Sequence, residues 1–283
     1  MISGDISVLE NNATSTKRMG GSRTQGEIKY SLPGKPLITI ITIVFNGAEF
    51  LEDTIKSVLS QTYNNIEYII IDGGSTDKSI DIIQKYEEEI DLWISEPDKG
   101  ISDAFNKGYS HAHGDLVGLI HSDDWFEKDA IPEMLKTIDV QKNVVFYGNM
   151  RIHYLKSNQS KILKPGKLSH FKWEFPLLHP SVFVSKKVIR ENSFDLQYKI
   201  AMDYDFLSGL YRDFPGQFQY VDLTIANMRD SGISNTSAIK GFKEVYHSSI
   251  KNKLTGKIQG LFYLFFRIFL YYLILLKKKI IGN

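Results

Sequence analysis

Four short runs of mainly Ile, Leu and Val alternate with longer segments of helical pattern in the first half of this chain. The runs LITIITIVFN, IEYIIIDGG, DLWISEP and DLVGLI predict buried strands, because each is largely apolar and is bounded by polar or turn-forming residues. The segments EFLEDTIKSVLSQ, STDKSIDIIQKYEEE and GISDAFNKGYSHA predict helices, and the Ser and Thr that open the second predict a cap. This alternation favours an α/β fold with a mostly parallel central sheet flanked by helices.

The length of 283 residues suits one large domain, or one domain with an appendage. We divide the chain into a polar segment at 1–35, a main domain at 36–240 and a C-terminal segment at 241–283. The polar segment is predicted to be weakly ordered, apart from a short strand near Ile28 to Leu32. It lacks the basic start and the apolar stretch of a secretory signal.

Composition limits the partners and the compartment. The formal net charge is +1, so bulk charge gives no argument for a nucleic-acid partner. The chain has no cysteine, which excludes disulfides and cysteine-ligated metals and fits a reducing compartment.

The C-terminal segment contains GLFYLFFRIFLYYLILLKKK at 260–279, an apolar stretch broken only by Arg267 before its closing lysines. It is short for a membrane span, and an arginine at mid-span costs about 3 kcal/mol on insertion scales. The Phe and Tyr content and the flanking lysines predict a helix that lies in the interface of an anionic membrane. The alternative is a helix buried against the domain or against a second copy of the chain.

Polar and glycine residues follow each of the four predicted strands. They are Phe45-Asn46-Gly47, Asp72-Gly73-Gly74-Ser75, Glu96-Pro97-Asp98-Lys99-Gly100 and His121-Ser122-Asp123-Asp124. In sheets of this kind, ligands bind outside the carboxyl ends of the strands. The sequence therefore predicts a cleft at one edge of the sheet.

Two adjacent carboxylates, Asp123 and Asp124, come directly after the fourth strand. Such a pair repels itself and loses solvation when it is buried, so it needs a compensating partner. The chain has no glycine-rich phosphate loop, and a nucleotide diphosphate would need another neutralising group. A divalent cation, Mg²⁺ or Mn²⁺, held by the two carboxylates would serve. The alternative is a turn into the next helix, where Asp is common.

These motifs together resemble a known family. Three stretches are similar to family 2 glycosyltransferases with the GT-A (nucleotide-diphospho-sugar transferase) fold. They are the stretch from PLITIITIVFNG to GGSTDKSIDII, the stretch GDLVGLIHSDDWF and the stretch FDLQYKIAMDYDFL. GGSRT and ISEPDKGISDAFNKG resemble the bacterial members that build O-antigen and capsular polysaccharide. The resemblance covers roughly residues 20–235. It implies inverting transfer of a sugar from a nucleotide diphosphate, usually UDP, to an acceptor hydroxyl, with Mn²⁺ or Mg²⁺.

The resemblance also implies roles for the residues at the predicted cleft. Asp72 matches the aspartate that hydrogen-bonds the nucleotide base, and Val44 and Asn46 match positions that line the nucleotide pocket. Asp124 matches a metal ligand, and Asp123 lies near ribose and metal.

Asp203 matches the catalytic base, at the predicted start of a helix where the dipole favours a carboxylate. On the residues alone, the alternative is that Asp203 is merely a helix N-cap, and the two roles are compatible. Two departures from the family pattern matter. His121 stands where the metal motif often begins with an aspartate, and Met202 replaces the usual Glu before the base.

Five further residues have open alternatives. His179 is expected near the pyrophosphate or the acceptor, or else is a packing histidine. Asp103 either reaches the cleft or caps its helix. Arg229 either meets a diphosphate or is solvated. Trp125 and Trp173 either stack on sugar or pack in the core or at the lip of the cleft.

The predicted function is transfer to a lipid-linked oligosaccharide at the cytoplasmic face of the bacterial inner membrane, where the protein is bound peripherally through its C-terminal segment. One alternative keeps the fold and takes polyprenyl phosphate as the acceptor. Another is an inactive carbohydrate-binding or scaffold module, which the complete set of carboxylates argues against.

Overall fold

The computed structural model describes residues 17–189, 193–230 and 237–281, with side chains as far as Lys277. In these residues the strands are β1 Arg18–Gly20, β2 Ile38–Val44, β3 Ile66–Asp72, β4 Leu92–Ser95, β5 Leu116–His121, β6 Trp125–Phe126, β7 Val145–Tyr154, β8 Gln159–Leu163, β9 Val182–Ser185 and β10 Phe218–Arg229. The α-helices are α1 Leu51–Leu59, α2 Ser79–Lys85, α3 Ile101–His111, α4 Ala130–Leu135, α5 Met202–Asp213, α6 Ala238–Lys251 and α7 Lys257–Ile281.

The strands form one mixed sheet in the order β1-β4-β3-β2-β5-β9-β7-β10-β6, with β8 paired to β7. The four strands predicted from the sequence, β2 to β5, are parallel neighbours. Strand β9 reverses the direction, and β7 and β10 run parallel to each other beyond it. The predicted α/β class with a largely parallel centre is confirmed.

Burial on both faces explains why these strands are apolar throughout. Every residue of β2 is buried. Ile41 packs in the core on one face of the sheet with Phe105 of α3, whereas Ile40 packs on the other face with Ile55 of α1. A Cβ on Gly108 would lie 2.5 Å from the Ile41 side chain, so this glycine lets α3 approach the sheet.

Helix α2 is shorter than predicted, and its Ser/Thr cap is wrong. The helix begins at Ser79, and no side-chain cap bond is made at Lys78 before it. The backbone N–H of Asn46 donates to the Ser75 hydroxyl at 2.8 Å, and the Asp77 carboxylate accepts from the Ser79 N–H at 2.9 Å. These side chains serve the loop between β3 and α2 instead of a cap.

Residues 17–35 are better ordered than the sequence predicts. Strand β1 pairs with β4, and the Arg23 guanidinium lies 3.1 Å from the buried carboxylate of Glu67. The predicted strand near Ile28 to Leu32 is wrong, since the described chain there makes only an isolated bridge from Leu32 to Lys35. The chain is held here by contacts to distant residues, which a local pattern does not reveal. Residues 1–16 lie outside the described residues.

Helix α7 confirms the apolar C-terminal helix. The stretch Lys257–Lys277 has 21 residues and a mean hydropathy of 1.7, enough by length and composition to cross a membrane, so the expectation that it is short for a span is wrong. Only 6% of the most apolar part of this stretch is buried in the described structure, so the helix is not buried in the body of the chain.

Candidate active site

The carboxyl ends of β2, β3, β4 and β5 meet at one edge of the sheet. The N–H of Gly73 donates to the Val44 carbonyl at 2.9 Å. A Cβ on Gly73 would lie 2.5 Å from an Asp98 oxygen, and a Cβ on Gly47 would lie 2.7 Å from the Ser122 hydroxyl. The loops after these strands therefore lie against one another, as the sequence predicts.

Asp72 is fully buried at the end of β3. Its Oδ2 accepts from the N–H groups of Gly74 and Ser75, both at 3.0 Å, and from the Ser95 hydroxyl at 2.7 Å. Its Oδ1 is buried and has no hydrogen-bond partner among the described residues. One oxygen is thus fixed while the other is left to accept a donor such as a base N–H. The sequence analysis missed Ser95, whose only signal is its position at the end of the next strand.

Asn46 holds the loop after β3 in place. Its φ of +52° is in the left-handed region, which Asn tolerates better than most residues. Its side-chain Oδ1 accepts from the Thr76 N–H at 2.9 Å. Val44 is buried beside it at the end of β2. The structure thus gives Asn46 a positioning contact, and its predicted place in a nucleotide pocket stays a prediction.

The carboxylate pair lies in the loop between β5 and β6. Asp124 is buried, and its Oδ1 has no hydrogen-bond partner within the described ranges. Burial and the neighbouring charge of Asp123 raise the pKa of Asp124 well above its usual value, and Arg229 opposes them. The Thr54 hydroxyl donates to the Asp124 carbonyl at 2.6 Å and fixes the backbone of the loop.

Arg229 at the end of β10 clamps this loop. Its guanidinium donates to the Asp123 carbonyl at 2.6 Å and to the Asp53 carboxylate at 2.7 Å. It lies between the rings of Phe50 and Trp125, at 4.2 Å and 4.4 Å from their centroids. Its side chain is 11% exposed, so the solvated alternative is wrong. Trp125 packs on Arg229 and on the His153 ring, which places it at the loop rather than in the core.

The residues fit a divalent cation that arrives with a diphosphate. No group of three or more His, Asp or Glu in the described chain is arranged to hold a metal ion. Mg²⁺, however, is usually bound by one or two carboxylates with substrate phosphates and water. The buried Oδ1 of Asp124 is an oxygen ligand of this kind, and Asp123 lies beside it.

His121 and His179 face each other next to this loop. Their ring centroids are 5.7 Å apart, and both rings pack against Phe105 at 5.4 Å and 5.5 Å. Burial lowers the pKa of both imidazoles, that of His179 to about 3. Both rings are therefore neutral at neutral pH. The His179 ring packs on the Phe105 and His121 rings and also lines the neighbouring cavity, and its expected place near the pyrophosphate or the acceptor stays a prediction.

Asp203 lies in the first turn of α5, as predicted. The residue before the helix is Ala201, which makes no side-chain cap bond, so the N-cap alternative is wrong. The Asp203 Oδ1 accepts from the Tyr204 N–H at 2.7 Å. Burial raises the pKa of Asp203 to about 6. A carboxylate of this pKa is ionised near neutral pH and basic enough to take a proton.

Glu244 of α6 fixes the chain just before Asp203. Its Oε2 accepts from the N–H groups of Lys199, Ile200 and Ala201 at 3.1, 2.8 and 2.9 Å. Glu244 is buried, so these charge-assisted bonds are shielded from water. The sequence analysis missed Glu244, because nothing near it in the chain signals this contact.

A cavity of about 420 Å³ lies beside Asp203. Its lining includes Asp203 and His179, together with Tyr263 and Arg267 of α7. Trp173 also lines it, so this residue lies at the lip of a cavity. Because the His179 ring contacts the His121 ring, the cavity adjoins the loop that carries the carboxylate pair.

Asp103 has structural partners of its own. Its Oδ2 accepts from the Lys99 N–H at 3.0 Å and lies 3.7 Å from the Lys107 ammonium. These contacts stabilise the start of α3, but the N-cap is Gly100 and makes no side-chain cap bond, so Asp103 is not the cap itself. A role for Asp103 toward a ligand stays a prediction.

Comparison with known proteins gives a matching family model, "Glycosyl transferase family 2", over residues 39–213, more than half of the chain. An uncharacterised glycosyltransferase of Mycobacterium tuberculosis is 35% identical over 180 residues, which is 61% of this chain and 68% of the relative. TuaG of Bacillus subtilis, a glycosyltransferase assigned to teichuronic acid biosynthesis, is 39% identical over 105 residues, 36% of this chain and 42% of TuaG.

Two solved structures are similar in fold. S. aureus TarS 1–349 in complex with UDP-GlcNAc has a TM-score of 0.61 and 17% identity, and the match covers 81% of this chain and 70% of that one. The mannosyltransferase PcManGT of Pyrobaculum calidifontis, in complex with GDP-Man and Mn²⁺, has a TM-score of 0.59 and 15% identity, over 86% of this chain and 74% of that one.

Proposed function

Because the chain belongs to glycosyl transferase family 2, we propose that it moves a sugar, with inversion, from a UDP-sugar to a hydroxyl of a lipid-linked oligosaccharide in bacterial surface polysaccharide biosynthesis. One observation carries this proposal. A carboxylate whose pKa is raised to about 6, Asp203, lines a cavity next to the loop that carries the half-buried Asp123 and the buried Asp124 at the edge of the sheet.

Several observations support the donor. The free Oδ1 of Asp72 suits a base N–H, and a similar structure was solved with UDP-GlcNAc. The mannosyltransferase with GDP-Man and Mn²⁺ supports the metal, and it makes guanosine the rival base. A relative assigned to teichuronic acid biosynthesis supports a surface polysaccharide product.

In the proposed mechanism, Asp124 and Asp123 would hold Mn²⁺ or Mg²⁺. The bound cation would offset the negative charge that develops on the diphosphate leaving group. Asp203 takes the proton of the acceptor hydroxyl as its oxygen attacks the anomeric carbon. The bond from that carbon to the diphosphate breaks on the opposite side, which inverts the configuration.

The proposed location rests on the composition of α7. Its exposed side chains are largely aromatic and aliphatic, and lysines follow at 277–279. This composition supports peripheral binding to an anionic bilayer, at the cytoplasmic face of the inner membrane. A lipid-linked acceptor at the same surface would then be close to Asp203.

Nucleotide release tests the proposal. Full-length protein is incubated with a panel of UDP-, GDP- and dTDP-sugars, with Mn²⁺, Mg²⁺ or chelator, and with and without a bacterial membrane extract as the source of acceptor. We expect metal-dependent release from one UDP-sugar. Asp124→Ala should abolish it, and Asp81→Asn on the exposed face of α2 should not. Release from no donor, even with the extract present, would overturn the proposal.

A further inference from the structure

Helix α7 contacts the body of the protein along one stripe. The cavity beside Asp203 is lined by one face of the helix, at positions i, i+3, i+4 and i+7: Gly260, Tyr263, Leu264 and Arg267. Phe265, which follows Leu264, is 67% exposed and belongs to the opposite face of the helix. One helix therefore presents an apolar face to its surroundings and a second face to the cavity.

Close packing holds this stripe in place. A Cβ on Gly260 would lie 3.0 Å from the Tyr246 ring of α6, so the two helices approach closely there. Arg267 lies 2.6 Å from the Glu174 carboxylate and 4.8 Å from the Phe242 ring centroid. Helix α7 is thus held against the rest of the chain by Glu174 and by Phe242 and Tyr246 of α6.

Two aromatic side chains in the lining of the cavity, Trp173 and Tyr263, pack against each other. The Trp173 and Tyr263 rings come from different elements, and their centroids are 5.0 Å apart. The His170 ring packs on Trp173 at 4.8 Å and supports it from behind. Aromatic rings of this kind offer an apolar face and a polar tip, which suits the C–H face and the hydroxyls of a sugar ring.

We propose that α7 completes the acceptor site. A pyranose ring of a glycolipid acceptor stacks on Trp173 and Tyr263, its reacting hydroxyl reaches Asp203, and its lipid chain follows the apolar face of α7. This inference rests on the proposed function, in which Asp203 is the base. The cavity of about 420 Å³ has the size of a small-molecule site. A glycolipid is the class that uses both faces of α7, since a soluble sugar gains nothing from the exposed apolar one.

Protection of a thiol tests this site without turnover. The chain has no cysteine, so Leu264→Cys on the cavity stripe and Phe265→Cys on the exposed face each provide a single thiol. Each full-length variant is placed in lipid nanodiscs, and its alkylation by N-ethylmaleimide is timed by mass spectrometry. The probes are the β-hexyl glycosides of glucose, galactose and N-acetylglucosamine, with 1-hexanol as the sugar-free control.

We expect at least one glycoside to slow alkylation of the Leu264→Cys variant about fivefold, with a smaller effect on the Phe265→Cys variant, which only the short hexyl chain reaches, and none from 1-hexanol. Adding Trp173→Ala should raise the glycoside concentration for half-maximal protection about three- to tenfold. No protection by any glycoside, or equal protection of both thiols, would overturn the inference. Because alkylation needs no donor, its outcome is independent of the nucleotide-release assay.

Discussion

Arg267 donates a hydrogen bond to the Glu174 carboxylate at 2.6 Å, across the junction between α7 and the main domain. The arginine that interrupts the apolar C-terminal stretch is therefore turned away from the exposed face of its helix. Its guanidinium also lies over the Phe242 ring. The insertion cost that the sequence predicts for a lipid-facing arginine is avoided, because the charge is paired at the body side.

This ion pair predicts a measurable coupling. Both side chains are about one-third exposed, at 30% and 33%, so the pair should contribute about 0.5–1 kcal/mol. Arg267→Glu and Glu174→Arg should each lower the unfolding temperature in detergent micelles by about 1–3 °C, and the double variant should recover part of the loss. The exposed Lys136–Glu133 pair of α4 is the control. Losses that simply add in the double variant would show that the two charges are not coupled.

The raised pKa of Asp203 predicts a pH dependence of turnover. The base must be ionised to accept a proton, so kcat at saturating donor should rise with pH and level off above about 6. Asp203→Asn should lower kcat by about 10²–10⁴ and remove this limb of the profile. A profile that is flat from pH 5 to 8 in the wild type would argue for an acceptor that is already ionised, such as a phosphate.

The raised pKa of Asp203 also predicts that the folded protein loses stability over the pH range in which its activity rises. The ordinary pKa of an aspartate is 3.8, whereas the pKa of Asp203 in the folded protein is about 6. The folded state therefore holds this proton more tightly than the unfolded state does. Stability contributed by this group is complete below pH about 4 and falls as the pH rises through about 6. At pH 8, Asp203→Asn should raise the free energy of unfolding by about 1–3 kcal/mol, with little change at pH 4.

Denaturant unfolding at the two pH values measures this difference. Asp81→Asn, on the exposed face of α2, should show no such pH-dependent gain. An equal stability of wild type and Asp203→Asn at pH 8 would mean that the carboxylate is well solvated in solution.

Arg229 predicts an effect on metal affinity without contact to the metal. Arg229→Lys keeps the positive charge but loses the planar stack between Phe50 and Trp125 and the paired bonds to Asp123 and Asp53. The Mn²⁺ concentration for half-maximal activity should rise about tenfold or more. Arg212→Lys, at the exposed pair with Asp213, is the matched control. If both variants raise the required Mn²⁺ concentration equally, Arg229 does not position the loop that carries Asp123 and Asp124.

Membrane binding through α7 is the last prediction. Deleting residues 258–283 should move the protein from the membrane fraction to the soluble fraction. Phe265→Glu with Phe269→Glu should do the same, since both side chains are exposed on the apolar face. Tyr263→Phe, on the cavity stripe, should leave partitioning unchanged. Retention of the deleted protein in the membrane fraction would assign membrane binding to another surface.

The sequence predicts the centre of the fold well because its signals there are local. Buried parallel strands are apolar throughout, so β2 to β5 stand out in the sequence, and the residues that follow them must share an edge. Asp72 and the Asp123–Asp124 pair could be placed there from position alone. The apolar helix α7 is also predicted from the sequence, because a long run of Phe, Leu and Tyr without Pro or Gly favours a helix.

The remaining contacts depend on residues far apart in the chain. Arg229 reaches Asp123 across 106 positions and Asp53 across 176. Glu244 holds the approach to Asp203 from 43 positions away at the nearest of its three partners. No periodicity or motif carries such pairings, because each depends on how finished elements pack.

What the sequence by itself determined is the α/β class, the edge of the sheet where chemistry collects, and the identity of the carboxylates there. Only the tertiary structure decided which of their oxygens are satisfied and which are free. It also decided that Asp203 is desolvated and that α7 closes the cavity beside it. The physical reason is that burial and pairing, which set a carboxylate's pKa and a cavity's wall, arise from contacts between elements and not from the order of residues.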